Sequence, residues 1–145
     1  SRAERVWAGG VEAMSQTPYL LRKARFGMRL GHSEVQDGMH QDGFFCPMAQ
    51  MVMGQTVEKF LVPEFGVSRA EQDAFALESQ LRATAAWKRG EFQSEVVPFD
   101  ELATDEHVRP DTTLGALGRL PGVFGGTLSA GNSSGITDGA AWIEL

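Results

Sequence analysis

The stretch Ser129–Ala141, SAGNSSGITDGAA, constrains this chain more than any other segment. It sets three glycines, an Asn, an Asp and several hydroxyls between apolar flanks. Such a composition builds a tight turn that lets a ligand approach the main chain closely. The run then enters Ala140-Ala141-Trp142-Ile143-Glu144-Leu145, which reads as a strand. Near the other end, Arg5-Val6-Trp7-Ala8 reads as a short strand feeding a second Gly-rich turn, Gly9-Gly10-Val11-Glu12-Ala13-Met14-Ser15. Two strand-and-turn junctions so far apart predict pieces of one larger sheet.

The 145 residues suffice for one domain with a sizeable core. The longest apolar runs are a few residues, far short of a membrane span, and no secretory-type leader opens the chain. A single cysteine, Cys46, forms no internal disulfide, which fits a reducing compartment and a cytoplasmic protein. A net charge of −6, with the basic residues scattered, argues against a nucleic-acid surface, which needs a basic stripe. Arg22-Lys23-Ala24-Arg25 with Arg29 is the one dense positive patch. A small anion held by one or two arginines and backbone N–H groups stays compatible with that charge.

Residues 16–50 lack a sustained period and read as a long excursion with little regular structure. From Met53 the pattern turns helical, with Thr56 as a cap and Pro63 as the end of a first helix. Ser68-Arg69-Ala70-Glu71 is a capping box opening the clearest helix. Ala74, Phe75, Leu77, Leu81, Ala85 and Trp87 give that helix an apolar stripe, and Gly90 closes it. Glu95-Val96-Val97-Pro98-Phe99 is expected as an edge strand. Thr112 or Thr113 opens a short helix that runs to Leu120.

Several groupings invite chemistry. Gly131-Asn132-Ser133-Ser134-Gly135 fits the G-x-S-x-G pattern of a nucleophile elbow, which needs a later Asp and His. Asp138 follows, but no His does, so a Gly/Ser turn is the better reading. Asp37, His40 and Asp42 match no standard metal-ligand spacing, and no metal is expected. Cys46, in Phe44-Phe45-Cys46-Pro47-Met48, has apolar company that makes a thiol a weak nucleophile; it reads as structural. Arg109, just before a helix start, suits a phosphate clamp or stacking on a base. Pairing with Asp105, Glu106 or Asp111 is the plainer alternative.

Five segments in order and in register resemble the thiolases, the family of acetyl-CoA acetyltransferases and 3-ketoacyl-CoA thiolases. They are Ala8-Gly9-Gly10-Val11-Glu12-Ala13-Met14-Ser15 through Pro18-Tyr19-Leu20-Leu21, with Lys23-Ala24-Arg25 following; Met53-Gly54-x-Thr56-x-Glu58; Ser68-Arg69-x-Glu71-Gln72-Asp73-Ala74-Phe75-Ala76; Arg109-Pro110-Asp111-Thr112-Thr113-Leu114; and Ala130-Gly131-Asn132-x-Ser134-Gly135-x-x-Asp138-Gly139-Ala140-Ala141. The resemblance covers the middle of the family. It implies an α+β piece of the α/β thiolase fold, with two terminal strands, as an antiparallel pair, flanking a largely helical and irregular loop domain. By that resemblance residues 1–14 and 127–145 belong to the family's N-terminal domain and residues 15–126 to its loop domain.

The same resemblance implies that coenzyme A, as acyl-CoA substrate and not as a tightly bound cofactor, is held here. Ser134 resembles the serine that bonds the pantetheine arm, with Ala130 and Phe124 as apolar neighbours. Arg109 resembles the arginine at the adenine and phosphate end, and Phe44 and Met53 resemble residues lining the pantetheine and acyl end. The region Arg22–Gly31 falls where family members make contacts between dimers, so a homo-oligomer is implied. The family's nucleophilic Cys lies upstream of the first matched segment. Its Asn-Glu-Ala loop, Gly-His-Pro histidine and Cys-x-Gly cysteine lie downstream of the last. No catalytic residue is therefore expected here, and Cys46 aligns with neither catalytic cysteine.

Three departures from the family pattern stand out. Val52 replaces a His common in biosynthetic members, which tilts the expectation toward longer or less polar acyl groups. The stretch Val62-Pro63-Glu64-Phe65 is one residue longer than usual, and Leu120-Pro121-Gly122-Val123-Phe124 replaces a Leu-Arg-Pro-x-Phe pattern. The rival expectation is a free-standing, non-catalytic module derived from a thiolase, serving binding or assembly.

Overall fold

The computed structural model describes residues 4–145, which form two compact units. One runs up to Met53 and includes Ile136–Leu145; the other is Gly54–Gly135.

In the first unit, strand β1 (Trp7–Glu12) pairs antiparallel with the last strand of the chain, β6 (Gly139–Glu144). The register runs from Trp7 opposite Glu144 to Glu12 opposite Gly139. The expected antiparallel terminal pair is present, but Gly9 and Gly10 lie inside β1 and not in a turn. The reason is steric. Gly9 faces Trp142 across the ladder, and a Cβ there would sit 2.6 Å from Cδ2 of the indole, so glycine lets the ring lie against the backbone. Beyond the ladder, Asp138 accepts hydrogen bonds from the Ser15 N–H at 3.0 Å and its hydroxyl at 2.6 Å.

The excursion that follows is built from short pieces. Strand β2 (Tyr19–Leu21) pairs antiparallel with β3 (Val35–Asp37), and β4 (Phe45–Cys46) pairs with β5 (Met51–Val52). The Asp37 carboxylate accepts from the backbone N–H groups of Met39 and His40, at 2.9 and 3.4 Å. It thereby satisfies donors at the head of the π-helical turn Met39–Phe44.

The second unit is mostly helical. Helix α1 (Met53–Thr56) continues without a break through a π-helical turn at Val57–Leu61 into α2 (Val62–Phe65), which ends at Gly66. Thr56 therefore lies inside a helix and does not cap one. Pro63 does not end it either. It comes just after the π turn, where the i→i−4 ladder is already interrupted, so a residue without an N–H is accommodated there.

Helix α3 (Arg69–Arg89) opens on the expected capping box and closes at Gly90, which adopts φ 73°. Its inward face differs from the apolar stripe. Asp73 and Ala86 are the buried positions, whereas Phe75 is 78 % exposed. Residues 95–98 form no strand. Phe99 and Leu102 exchange two 2.9 Å backbone hydrogen bonds in a tight turn instead, and Pro98 has no N–H to offer a ladder. Helix α4 (Leu114–Gly118) is capped by Thr113, whose hydroxyl accepts from the Ala116 N–H at 3.1 Å. Leu117, buried on α4, and Ser129, fully buried in the loop after it, mark the centre of this unit.

Candidate functional site

A cleft of about 740 Å³ opens in the second unit, within the usual range for small-molecule sites. One wall is α3, through Phe75, Ala76, Ser79 and Gln80; a second is α4 and the residues beside it, through Ala116, Leu117 and Leu120. The third is the loop Ala130–Gly135, and the rim carries His107, Arg109 and Asp111.

Each wall has a local cause. Arg109 is fixed by its backbone: its N–H donates to Gln80 Oε1 of α3 at 2.8 Å, and its carbonyl accepts from the Thr112 hydroxyl at 2.8 Å. Its guanidinium makes no ion pair among the described residues, so pairing with Asp105, Glu106 or Asp111 is not what the structure holds. The loop approaches α4 closely only because residue 131 is glycine. A Cβ there would come within 2.5 Å of Leu117 Cδ2 and 2.6 Å of Leu120 Cδ1.

A chain of polar side chains ties the loop to the helices. Glu58, in the π turn, accepts from the Thr127 N–H at 2.8 Å and the Leu128 N–H at 2.9 Å. Burial opposes the charge on Glu58, but the backbone donors of Leu128 and Thr127, with the Thr127 hydroxyl, outweigh it and lower its pKa. Gln72 Nε2 donates to the Thr127 hydroxyl at 2.8 Å. Asn132 donates to Asp73 Oδ1 at 3.0 Å and accepts from the Ser129 N–H at 2.7 Å. The Arg69 Nε lies 2.9 and 2.8 Å from the two Asp73 oxygens.

Of the six residues singled out for binding, Arg109, Ala130 and Ser134 line this one cleft. Phe124 is in the same unit but outside the cleft lining; its ring lies against Gly54, and its backbone takes φ 56°. Phe44 and Met53 fall in the first unit. Gly131–Gly135 has no flanking strand and helix of the nucleophile-elbow kind, and Cys46 is half-buried in β4. Sequence reasoning missed His107, Gln80 and the network. Glu58, Gln72, Asp73 and Asn132 were noted only as signposts in separate segments, with nothing to say that they touch. Among the described residues, no helix is long and apolar enough to cross a membrane.

Comparison with known proteins places this geometry. The family described as thiolase, N-terminal domain, matches residues 1–145. A probable acetyl-CoA acyltransferase of Staphylococcus aureus is 44 % identical over 94 % of this chain, which spans 37 % of that relative. Human mitochondrial 3-ketoacyl-CoA thiolase, solved in complex with CoA, superposes with a TM-score of 0.89 at 41 % identity, over 98 % of this chain and 37 % of that one. An acetyl-CoA acetyltransferase from Syntrophomonas wolfei gives a TM-score of 0.87 at 39 % identity, over 97 % and 37 % of the two chains. The chain thus spans somewhat over a third of the length of the relatives it matches.

Proposed function

This chain belongs to the thiolase family through its N-terminal domain, and from that premise we propose that its cleft holds the coenzyme A part of an acyl-CoA substrate. The protein that carries it would transfer an acyl group between a cysteine thiolate and coenzyme A, cleaving or forming a 3-ketoacyl-CoA. The observation that carries this reading is the meeting of Arg109 with Ala130 and Ser134, from two successive segments of the chain on either side of α4, on one cleft.

The roles follow from the chemistry. Arg109 lines the cleft with a guanidinium that makes no ion pair among the described residues, a fork of donors that matches phosphate oxygens. The Ser134 hydroxyl both donates and accepts, which suits an amide of the pantetheine arm, and Ala130 offers that arm an apolar surface. Within this reading residues 1–14 and 127–145 belong to the sheet-bearing domain and residues 15–126 to the loop domain. Phe44, Met53 and Phe124 serve the acyl and pantetheine end. In this reading the chain contributes binding residues and no acyl-carrying nucleophile, and Cys46, in the strand pair β4–β5, serves as a structural residue. Copies of the chain associate through the exposed first-unit strands, where Trp7 and Trp142 stand largely in solvent.

Calorimetric titration with coenzyme A tests the site. The unmodified chain should bind saturably, and the Arg109→Ala/Ser134→Ala variant about 10-fold to 100-fold more weakly, as befits loss of a charge-assisted hydrogen bond. Equal binding by the two would sink the assignment of the cleft.

A further inference from the structure

Behind the cleft lies a buried charge with an unusual division of labour. Asp73 is only 4 % exposed, and a carboxylate at that depth is costly unless its oxygens are fully engaged. Arg69, one turn earlier on α3, meets both oxygens through its Nε. Its Nη2 reaches across to α4, donating to the carbonyls of Leu117 at 2.7 Å and Leu120 at 3.0 Å. The Leu117 carbonyl, at the end of α4, also takes the Leu120 N–H at 3.0 Å, and Leu120 follows just beyond the helix, so the guanidinium ties down the helix end and the chain that leaves it.

On the other side, Asp73 Oδ1 accepts from Asn132 Nδ2, and Asn132 Oδ1 takes the N–H of fully buried Ser129. The Gly131 N–H adds a 3.3 Å bond to the Ser129 hydroxyl. Asn132 therefore stands between Ala130 and Ser134, two residues from each, and is the anchor of their loop. A single ion pair on one wall of the cleft holds the other two walls. Well-fitted apolar side chains often give as much stability as such a pair; what they lack is direction, and hydrogen bonds to fixed partners set a register.

We propose that Arg69, Asp73 and Asn132 are positioning residues for the cleft, setting the place of Ala130 and Ser134 relative to α3 and α4 and so the affinity for the pantetheine part of the ligand. This inference rests on the reading of the cleft as the coenzyme A site. None of the three need touch the ligand to act.

The test is coenzyme A affinity, with KM and kcat, in the whole protein that carries this chain. Each variant is titrated at a temperature where circular dichroism shows it folded. Asn132→Asp sets a second carboxylate against Asp73 and should raise the Kd at least about tenfold, as loss of a buried hydrogen bond implies. The reciprocal D73N/N132D variant restores a donor facing an acceptor and should recover most of the affinity, a non-additivity that general loosening would not produce. Asn132→Ala, which leaves the Arg69–Asp73 pair in place, should raise KM for the acyl-CoA while kcat moves less than about twofold. Unchanged affinity in Asn132→Asp and Asn132→Ala, or a double variant no better than Asn132→Asp, overturns the positioning role. Failure of the site reading shows elsewhere: Arg109→Ala/Ser134→Ala binding as well as the parent overturns that reading and takes this inference with it.

Discussion

The two units of this chain are held together by different physics. The first unit is tied by short backbone ladders: β1 with β6, β2 with β3 and β4 with β5. Several of its larger apolar side chains, among them Trp7, Tyr19, Trp142 and Ile143, stand more than half exposed, as do Phe65, Phe75 and Phe99 of the second unit. The second unit is organised around side chains, and those at its centre are polar. Glu58, Gln72, Asp73 and Asn132 reach across up to 70 positions of sequence to fix one loop. Backbone ladders hold strands in register with little demand on side chains. A loop that must present atoms to a ligand has no ladder, so buried side chains do the holding.

The comparison breaks most sharply at Asp73. Asp73→Ala should destabilise the second unit by about 3–5 kcal/mol, because Arg69 would be left half-buried without its counter-charge. Chemical denaturation measures this, and a loss below about 1 kcal/mol would put the pair among ordinary surface bridges.

Glu58 sharpens the contrast through pH. Its pKa is lowered in the folded chain, so the stabilisation it gives is complete above the ordinary Glu value and is lost as pH falls through the lowered one. The unfolding free energies of the parent and Glu58→Gln should therefore differ at pH 7 and converge as pH falls through and below the lowered value. A difference that stays constant down to acid would assign the effect to shape and not to charge.

The smallest effect on stability is expected in the first unit. Ile143→Ser, at a side chain 58 % exposed on β6, should cost less than about 1 kcal/mol. Sedimentation velocity should instead show weaker self-association than the parent, as removal of exposed apolar surface predicts. Equal association would separate the exposed strands from any assembly role.

Much of this was legible in the residues themselves. Ser68 with Glu71, and Gly90, bounded α3 because capping is local chemistry, decided within one turn. Thr113 placed α4 for the same reason. The terminal strand pair was legible too, since both segments carried the same apolar, small-residue signature. Less local matters were misread. Thr56 looked like a cap because a Thr ahead of an apolar run is the usual cap signal, although the helical pattern already begins at Met53. Pro63 looked like a stop because a π turn leaves no composition of its own. Glu95–Phe99 looked like a strand because β-branched residues were counted without a partner strand to receive them. The apolar stripe of α3 was right only in part: Leu77, Ala85 and Trp87 are half-buried, but hydropathy does not register a buried Asp held by hydrogen bonds.

The sequence by itself determined the family, both ends of α3, the start of α4 and three residues of the candidate cleft: Arg109, Ala130 and Ser134. Only the tertiary structure decided that Glu58, Gln72, Asp73 and Asn132 form one network, that Arg109 makes no ion pair among the described residues, and that α3 turns Asp73 inward. Caps, turns and periodicities are settled by neighbours a few residues apart, so a linear reading reaches them. The engagement of a buried carboxylate is settled by groups that meet only when distant segments fold together. Asp73 and Asn132 are 59 positions apart in the chain and 3.0 Å apart in space, and no spacing in the sequence announces that contact.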